Sequence, residues 1–335
     1  MKIVMVGNTG VGKTTYMASL YGALQREIEG FSLKAVRDDD HARLCQLAKT
    51  IQTGKYPDLT DQRSEYDFNL RHKTKEILDF SWADYRGGAI TASTKDEQTN
   101  LLITDLKSAD GIMMFCDCDA LVRNDHRSNQ IGRMATLVNQ ALQNVDHIIC
   151  LGVIFTKVDM VRQISDNHFS YFQGLISAIN ASQYVLGSFI PVSCGSPFIN
   201  VPMPLLFTLY GSVILKLAIL EKEVKAHYAN AEYWIEKSKG FSGFLRWVGD
   251  SWNGSTTDEQ MAVNEYQKSV EKYEKHQALV EPVQALVDYV QKLPLIQDGK
   301  KLQDYAHACN SISYKTPIYE QSKMKEKNPF AAFKP

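Results

Sequence analysis

The sequence predicts an α/β fold, a mostly parallel sheet with helices on both faces, followed by a C-terminal α-helical hairpin extension. Three observations predict it. Short apolar runs of strand length recur through the first 220 residues and end in glycine or polar residues, as buried parallel strands do. The first run leads directly into a glycine-rich loop. After residue 220 turn signals vanish, and aromatic and charged residues take up helical spacing.

The opening run, MKIVMV, reads as a buried strand closed by Gly7. Gly7-x-x-x-x-Gly12-Lys13-Thr14 then completes a phosphate-loop pattern. Such a loop presents the backbone of Gly7, Asn8, Thr9, Gly10, Val11, Gly12 and Thr15 to a β-phosphate, backed by the N-terminal dipole of the next helix. Lys13 is placed to reach the β- and γ-phosphates, and the Thr14 hydroxyl to ligate Mg²⁺.

The strand KEILDFSWADYRGG ends in Asp84-Tyr85-Arg86-Gly87. A carboxylate at a strand tip beside a phosphate loop can hold Mg²⁺, and the Gly87 amide can sense a γ-phosphate. Asp79 competes with Asp84 for this role but falls in mid-strand.

The phosphate loop does not say which base accompanies the phosphates. HIICLGVIFTKVDMV supplies that reading, an apolar strand ending in Thr156-Lys157-Val158-Asp159. Guanine carries two adjacent donors, N1–H and the N2 amine, that one carboxylate matches, so Asp159 would accept both while the Lys157 stem lies along the base. SFIPVSCGS follows, and Ser193, Cys194 or Gly195 would offer a backbone N–H to guanine O6. Adenine leaves such polar groups unpaired.

With these motifs in this order, residues 1–220 resemble a Ras-like P-loop GTPase of the translation-factor-related class. Thr156 stands where the commoner form has asparagine. More narrowly, TGKYPDLT, the glycine pair at 87–88 and NVPMPLLF resemble bacterial double-GTPase-type proteins, a family associated with conflict and defence systems. The resemblance implies GTP/GDP and Mg²⁺ as ligands, hydrolysis of GTP to GDP and phosphate, and a molecular switch. It implies Thr14, Asp84 and a first-switch threonine as metal ligands. Thr60, just before the polar strand SEYDFNLRH, is the candidate; Thr53 is the runner-up, and a site with neither remains open. The catalytic set carried over is Lys13, Thr60, Asp84, Arg86 and Gly87.

Two departures matter. Residues 30–60 form an insertion with an extra helix, DDDHARLCQLAKTIQ, whose three aspartates suit its N-terminus. And Gly88 stands where the family's water-positioning glutamine would be, so hydrolysis should be slow without a partner or self-association. Arg86 and Arg123 are either charge stabilisers of the transition state or ordinary surface arginines.

The 335 residues carry a formal net charge of −1, which gives no case for nucleic-acid binding. Six cysteines without a paired framework, and a first apolar run too short for a signal peptide, point to a reduced, cytoplasmic setting. Cys116 and Cys118 read as one face of a strand. The apolar stretch 204–220 approaches membrane-spanning length but carries Lys216, and reads as a helix buried against the sheet.

Residues 221–320 form the expected helical appendage and 321–335 a disordered tail. Leu217, Leu220, Val224, Tyr228, Ala231 and Ile235 follow three-four steps, as do Val263, Tyr266, Val270, Tyr273 and Val280. Two such helices most simply form an antiparallel hairpin, with Pro282 ending or kinking the second arm. The connection carries Phe241, Phe244, Leu245, Trp247, Val248 and Trp252. Such a tip covers exposed core, docks on a protein partner or a second GTPase copy, or makes peripheral membrane contact. The last is not favoured, for want of a lysine cluster.

Overall fold

The computed structural model describes residues 1–57, 64–85, 97–143, 145–195, 198–237 and 258–314. Its strands are β1 (Lys2–Val6), β2 (Phe31–Ala35), β3 (Ser64–His72), β4 (Lys75–Asp84), β5 (Gly111–Asp117), β6 (Ile149–Thr156), β7 (Val185–Pro191) and β8 (Leu295–Ile296). They form one sheet in the order β2-β3-β4-β1-β5-β6-β7-β8. The inner strands β4, β1, β5, β6 and β7 pair in parallel. β2 and β3 add an antiparallel edge on one side and β8 on the other.

Sequence accounts for this division. β5 and β6 are buried at every position, which suits an apolar run covered on both faces. β3 instead alternates, with Tyr66, Phe68 and Leu70 buried and Glu65 and Asp67 exposed. From β1 the chain runs to β4 on one side and β5 on the other, so β1 marks the point where strand order reverses. Crevices at the carboxyl ends of the strands open there.

The helices used below are α1 (Lys13–Ala23), α2 (Asp38–Gln52), α3 (Glu97–Lys107), α4 (Ile131–Leu142), α5 (Gln173–Ala181), α6 (Met203–Lys237), α7 (Asp258–Val290) and α8 (Leu302–Tyr314). α2 is the inserted helix; it opens on Asp38, Asp39 and Asp40, where the helix dipole favours negative charge. It buries Leu44, Cys45, Ala48 and Ile51, and His41 Nδ1 lies 2.6 Å from the Tyr21 hydroxyl of α1.

The start of α6 presses on the sheet. Gly111 is required there, since a Cβ at that position would lie 2.2 Å from Thr208 Cγ2. Phe207, Thr208 and Leu209 are buried. Met203–Tyr233 is the one helix among the described residues long and apolar enough to cross a membrane, and 56% of its most apolar window is buried.

The compact units divide the chain differently from the expected boundary at residue 220. One contains Met1–Ser212 and the segment from Ala285 onward; the other is Val213–Gln284. Residues 285–314 return to the first unit, where β8 pairs with β7 and Tyr305 packs against Phe189. Nor does Pro282 end the second arm: α7 continues to Val290. Leu286, Tyr289 and Val290 beyond it are buried, which offsets the lost backbone hydrogen bond.

Within the helical unit the arms run antiparallel, since Glu223 pairs with Lys272 and His227 with Glu265. The packed seam of α7 is displaced from its apolar stripe. Ala262, Ser269 and Leu279 are buried, whereas Tyr266, Val270, Tyr273 and Val280 are 49%, 41%, 52% and 44% exposed. Those two ion pairs fix the rotation of α7 that turns the stripe outward.

Candidate nucleotide-binding site

The phosphate loop follows β1 and is wound tightly enough to need glycine. Gly10 and Gly12 have φ of +82° and +96°, a left-handed conformation that side chains rarely adopt. Gly12 is also the N-cap of α1, with no capping side chain and no acid in the first turn, so the end of the helix is left open to an anion. Lys13 is buried, and its Nζ donates to the carbonyls of Gly7 at 2.8 Å and Asn8 at 3.2 Å. Burial lowers the Lys13 pKa, and the Asp84 carboxylate works against that shift.

Asp84 closes β4 beside Met5 of β1. Thr14 Oγ1 donates to its Oδ2 at 3.2 Å. The other oxygen, Oδ1, is buried and has no hydrogen-bond partner among the described residues. Burial raises the Asp84 pKa, against the opposing pull of Lys13 and Thr14. A hydroxyl beside a carboxylate offers hard oxygen donors of the kind Mg²⁺ takes, so Thr14 and Asp84 fit that ion. Asp79, the competitor, is occupied elsewhere: its Oδ1 accepts from Asn69 at 2.5 Å on the exposed side of the sheet.

The end of β6 is latched to the phosphate loop. Thr156 Oγ1 donates to the Val11 carbonyl at 2.7 Å and lies 3.2 Å from the Cys116 carbonyl. The threonine of T-K-x-D therefore has a structural role, because its short hydroxyl ties the end of β6 to the phosphate loop. Lys157 has φ +57° and extends its ammonium to the Gly10 carbonyl at 3.2 Å and to Asp117 Oδ2 at 2.5 Å.

A cavity of about 360 Å³ joins these parts. Thr9, Gly10, Gly12, Lys13, Thr14 and Thr15 line one end. Thr156, Lys157, Asp159, Met160, Cys194 and Gly195 line the other, with Tyr56 and Pro57 also on the wall. Gly7, Asn8 and Val11 support the loop instead: Asn8 Nδ2 donates to the carbonyls of Arg127 and Ser128 at 3.1 and 3.0 Å. Ser193 also stands behind the wall, its N–H donating to the Ile199 carbonyl at 3.1 Å. Cys194 is a neutral thiol, its pKa raised to about 12 by burial, which leaves its backbone as the useful part.

Other expectations fall elsewhere. Thr53 caps the end of α2, with Oγ1 donating to the Thr50 carbonyl at 2.8 Å. Arg123 pairs with Asp119 at 2.7 Å on an exposed turn. Thr60, Arg86, Gly87 and Gly88, the tip at 240–252 and the tail at 321–335 lie outside the described residues. Sequence reasoning missed Tyr56, Met160 and Asp117 as parts of this region. Asp117 alone left a signal, a lone carboxylate ending an apolar strand as Asp84 does.

Residues 4–149 match the family described as Double-GTPase 1, which supports a P-loop GTPase domain of the double-GTPase kind in this part of the chain. The match includes the phosphate loop and Asp84 and ends before Thr156. Comparison with curated proteins gives no match.

Proposed function

We propose that the chain is a cytoplasmic GTP-binding switch with slow, Mg²⁺-dependent hydrolysis of GTP to GDP and phosphate, stimulated by a protein partner or a second copy. One observation carries the reading. Lys13, Thr14 and Asp159, from the loops or helix turns that follow separate parallel strands, line one cavity, and Asp84 at the end of β4 is tied to it through Thr14.

In this reading Lys13 leaves the Gly7 and Asn8 carbonyls for the β- and γ-phosphate oxygens. The open end of α1 supplies backbone donors to the same phosphates. Asp159 accepts from guanine N1–H and N2, and a backbone N–H at Cys194 or Gly195 meets O6. Thr14 and Asp84 would hold Mg²⁺, with Thr60 the candidate third ligand; the ion supplies neutralisation of phosphate charge. Water then attacks the γ-phosphorus, the bond to the bridging oxygen breaks, and GDP leaves with that oxygen.

Gly88 has no side chain with which to orient the water, so little of the barrier is lowered until another molecule contributes. The exposed stripe of Tyr266, Val270, Tyr273 and Val280 on α7 supports a relay through association. Single-turnover GTP hydrolysis, followed over a hundredfold range of protein concentration, tests this. The expected result is a rate far below 1 s⁻¹ when dilute, rising with concentration or with an added partner. Multiple turnover by dilute protein at typical enzyme rates, about 1–10³ s⁻¹, would contradict it.

A further inference from the structure

We infer that Asp117 is a positioning residue for base recognition, holding Lys157 so that its stem forms one wall of the guanine slot; this rests on the GTP reading above. A lysine stem is flexible, and lies flat against a base only if its ammonium is anchored at the far end. Lys157 has two such anchors, the Gly10 carbonyl at 3.2 Å and Asp117 Oδ2 at 2.5 Å. The second carries the charge. Asp117 lies opposite Thr156 in the β5–β6 register, beside the residue it holds.

Asp117 is itself fixed on every side. Its N–H donates to Asn129 Oδ1 at 2.7 Å, and its carbonyl accepts from Asn129 Nδ2 at 2.9 Å. Oδ1 accepts from the Ala120 N–H at 3.1 Å, which leaves Oδ2 for Lys157. Both Asp117 and Asn129 are buried. At the other end, φ of +57° places Lys157 in a backbone conformation uncommon for a lysine. A residue held so from both ends is determined by its surroundings. Only the Gly10 contact reaches the phosphate loop, and it does not involve Asp117.

The competing account is that Asp117 only caps the short turn at 118–122. Asparagine caps as well as aspartate, so Asp117→Asn keeps the cap and removes the ion pair. Displacement of fluorescent GDP by GDP, GTP and inorganic tripolyphosphate, for wild type, Asp117→Asn, Lys157→Met and the double variant, separates the two. Expected are a roughly tenfold loss of GDP and GTP affinity in Asp117→Asn, unchanged tripolyphosphate affinity, and a double variant no weaker than Lys157→Met alone. If Asp117→Asn does not fold, Asp117→Glu, which retains the charge on a longer stem, should show an intermediate loss. Unchanged GDP affinity in the single variant, a parallel loss for tripolyphosphate, or additive losses in the double variant would overturn the assignment. Wild-type protein that bound no GDP would overturn the GTP reading itself, and this inference with it.

Discussion

Thr14 and Asp84 stand 70 residues apart in the chain, yet the hydroxyl of one donates to the carboxylate of the other at 3.2 Å. The contact joins the first turn of α1 to the end of β4, and β1 holds the two together. An unpaired, buried carboxylate oxygen at that junction destabilises the ionised form. Sites that bind cations accept that cost.

A pH dependence follows from the raised Asp84 pKa. Binding of Mg²⁺ needs the ionised carboxylate, so protons compete at higher pH than they would for an exposed aspartate. Titrating Mg²⁺-dependent GTP binding from about pH 8 to 4.5 should show affinity falling toward the acid end. In Asp84→Asn the part of that acid limb due to Asp84 should be lost, leaving the protonation of the γ-phosphate itself, with affinity at neutral pH lower by roughly 10–100-fold.

Gly111→Ala tests the close approach of α6 to β5. The new methyl would meet Thr208 Cγ2 at 2.2 Å and the Thr208 carbonyl at 3.0 Å. Denaturant unfolding should show a loss of about 3 kcal/mol, the upper range for overpacking. Adding Thr208→Ala should recover part of it, because the carbonyl contact remains. Full additivity of the two changes would mean that the helix does not rest there.

In the helical unit, hydrogen bonds from Lys268 and His227 lower the Glu265 pKa from its ordinary 4.5 to about 2. A depressed carboxylate adds stability above its unfolded value and loses it as pH falls toward the folded one. The helical signal in circular dichroism should therefore weaken between about pH 4.5 and 2. Glu265→Gln should start less stable at pH 7 and show a flatter acid limb.

Tyr266 and Tyr273 face outward on α7, and replacing both with lysine should change unfolding free energy by less than about 1 kcal/mol, as surface changes do. If they packed inside the hairpin the loss would be about 3–5 kcal/mol for each ring. The same variant should lower any concentration-dependent stimulation of GTP hydrolysis.

Much of the first unit was legible because its signals are local. Strand, glycine loop and helix follow one another in residues 2–23, and the three aspartates of α2 mark its start at Asp38. That Asp159 would line the same cavity as the phosphate loop was legible from its place just after an apolar strand. What escaped depends on contacts between distant residues. β8 is two residues long and exists only because β7 offers an edge. Asp117 acquires a role only when β5 lies beside β6. On α7 two stripes one residue apart both follow three-four spacing, so periodicity could not choose between them; the cross-helix pairs Glu265–His227 and Lys272–Glu223 decide. Tyr56 reaches the cavity from a loop, where no periodicity operates.

The proposed choice of guanine rests on Asp159. Its most direct test is competition for fluorescent GDP by GTP, GDP, ATP and XTP, in wild type and Asp159→Asn. Strong preference for GTP and GDP is expected in wild type, and a shift toward XTP in the variant, since xanthine offers an oxygen where guanine offers an amine. Equal competition by ATP in wild type would contradict it, and the cavity would then belong to an NTPase that does not distinguish the base.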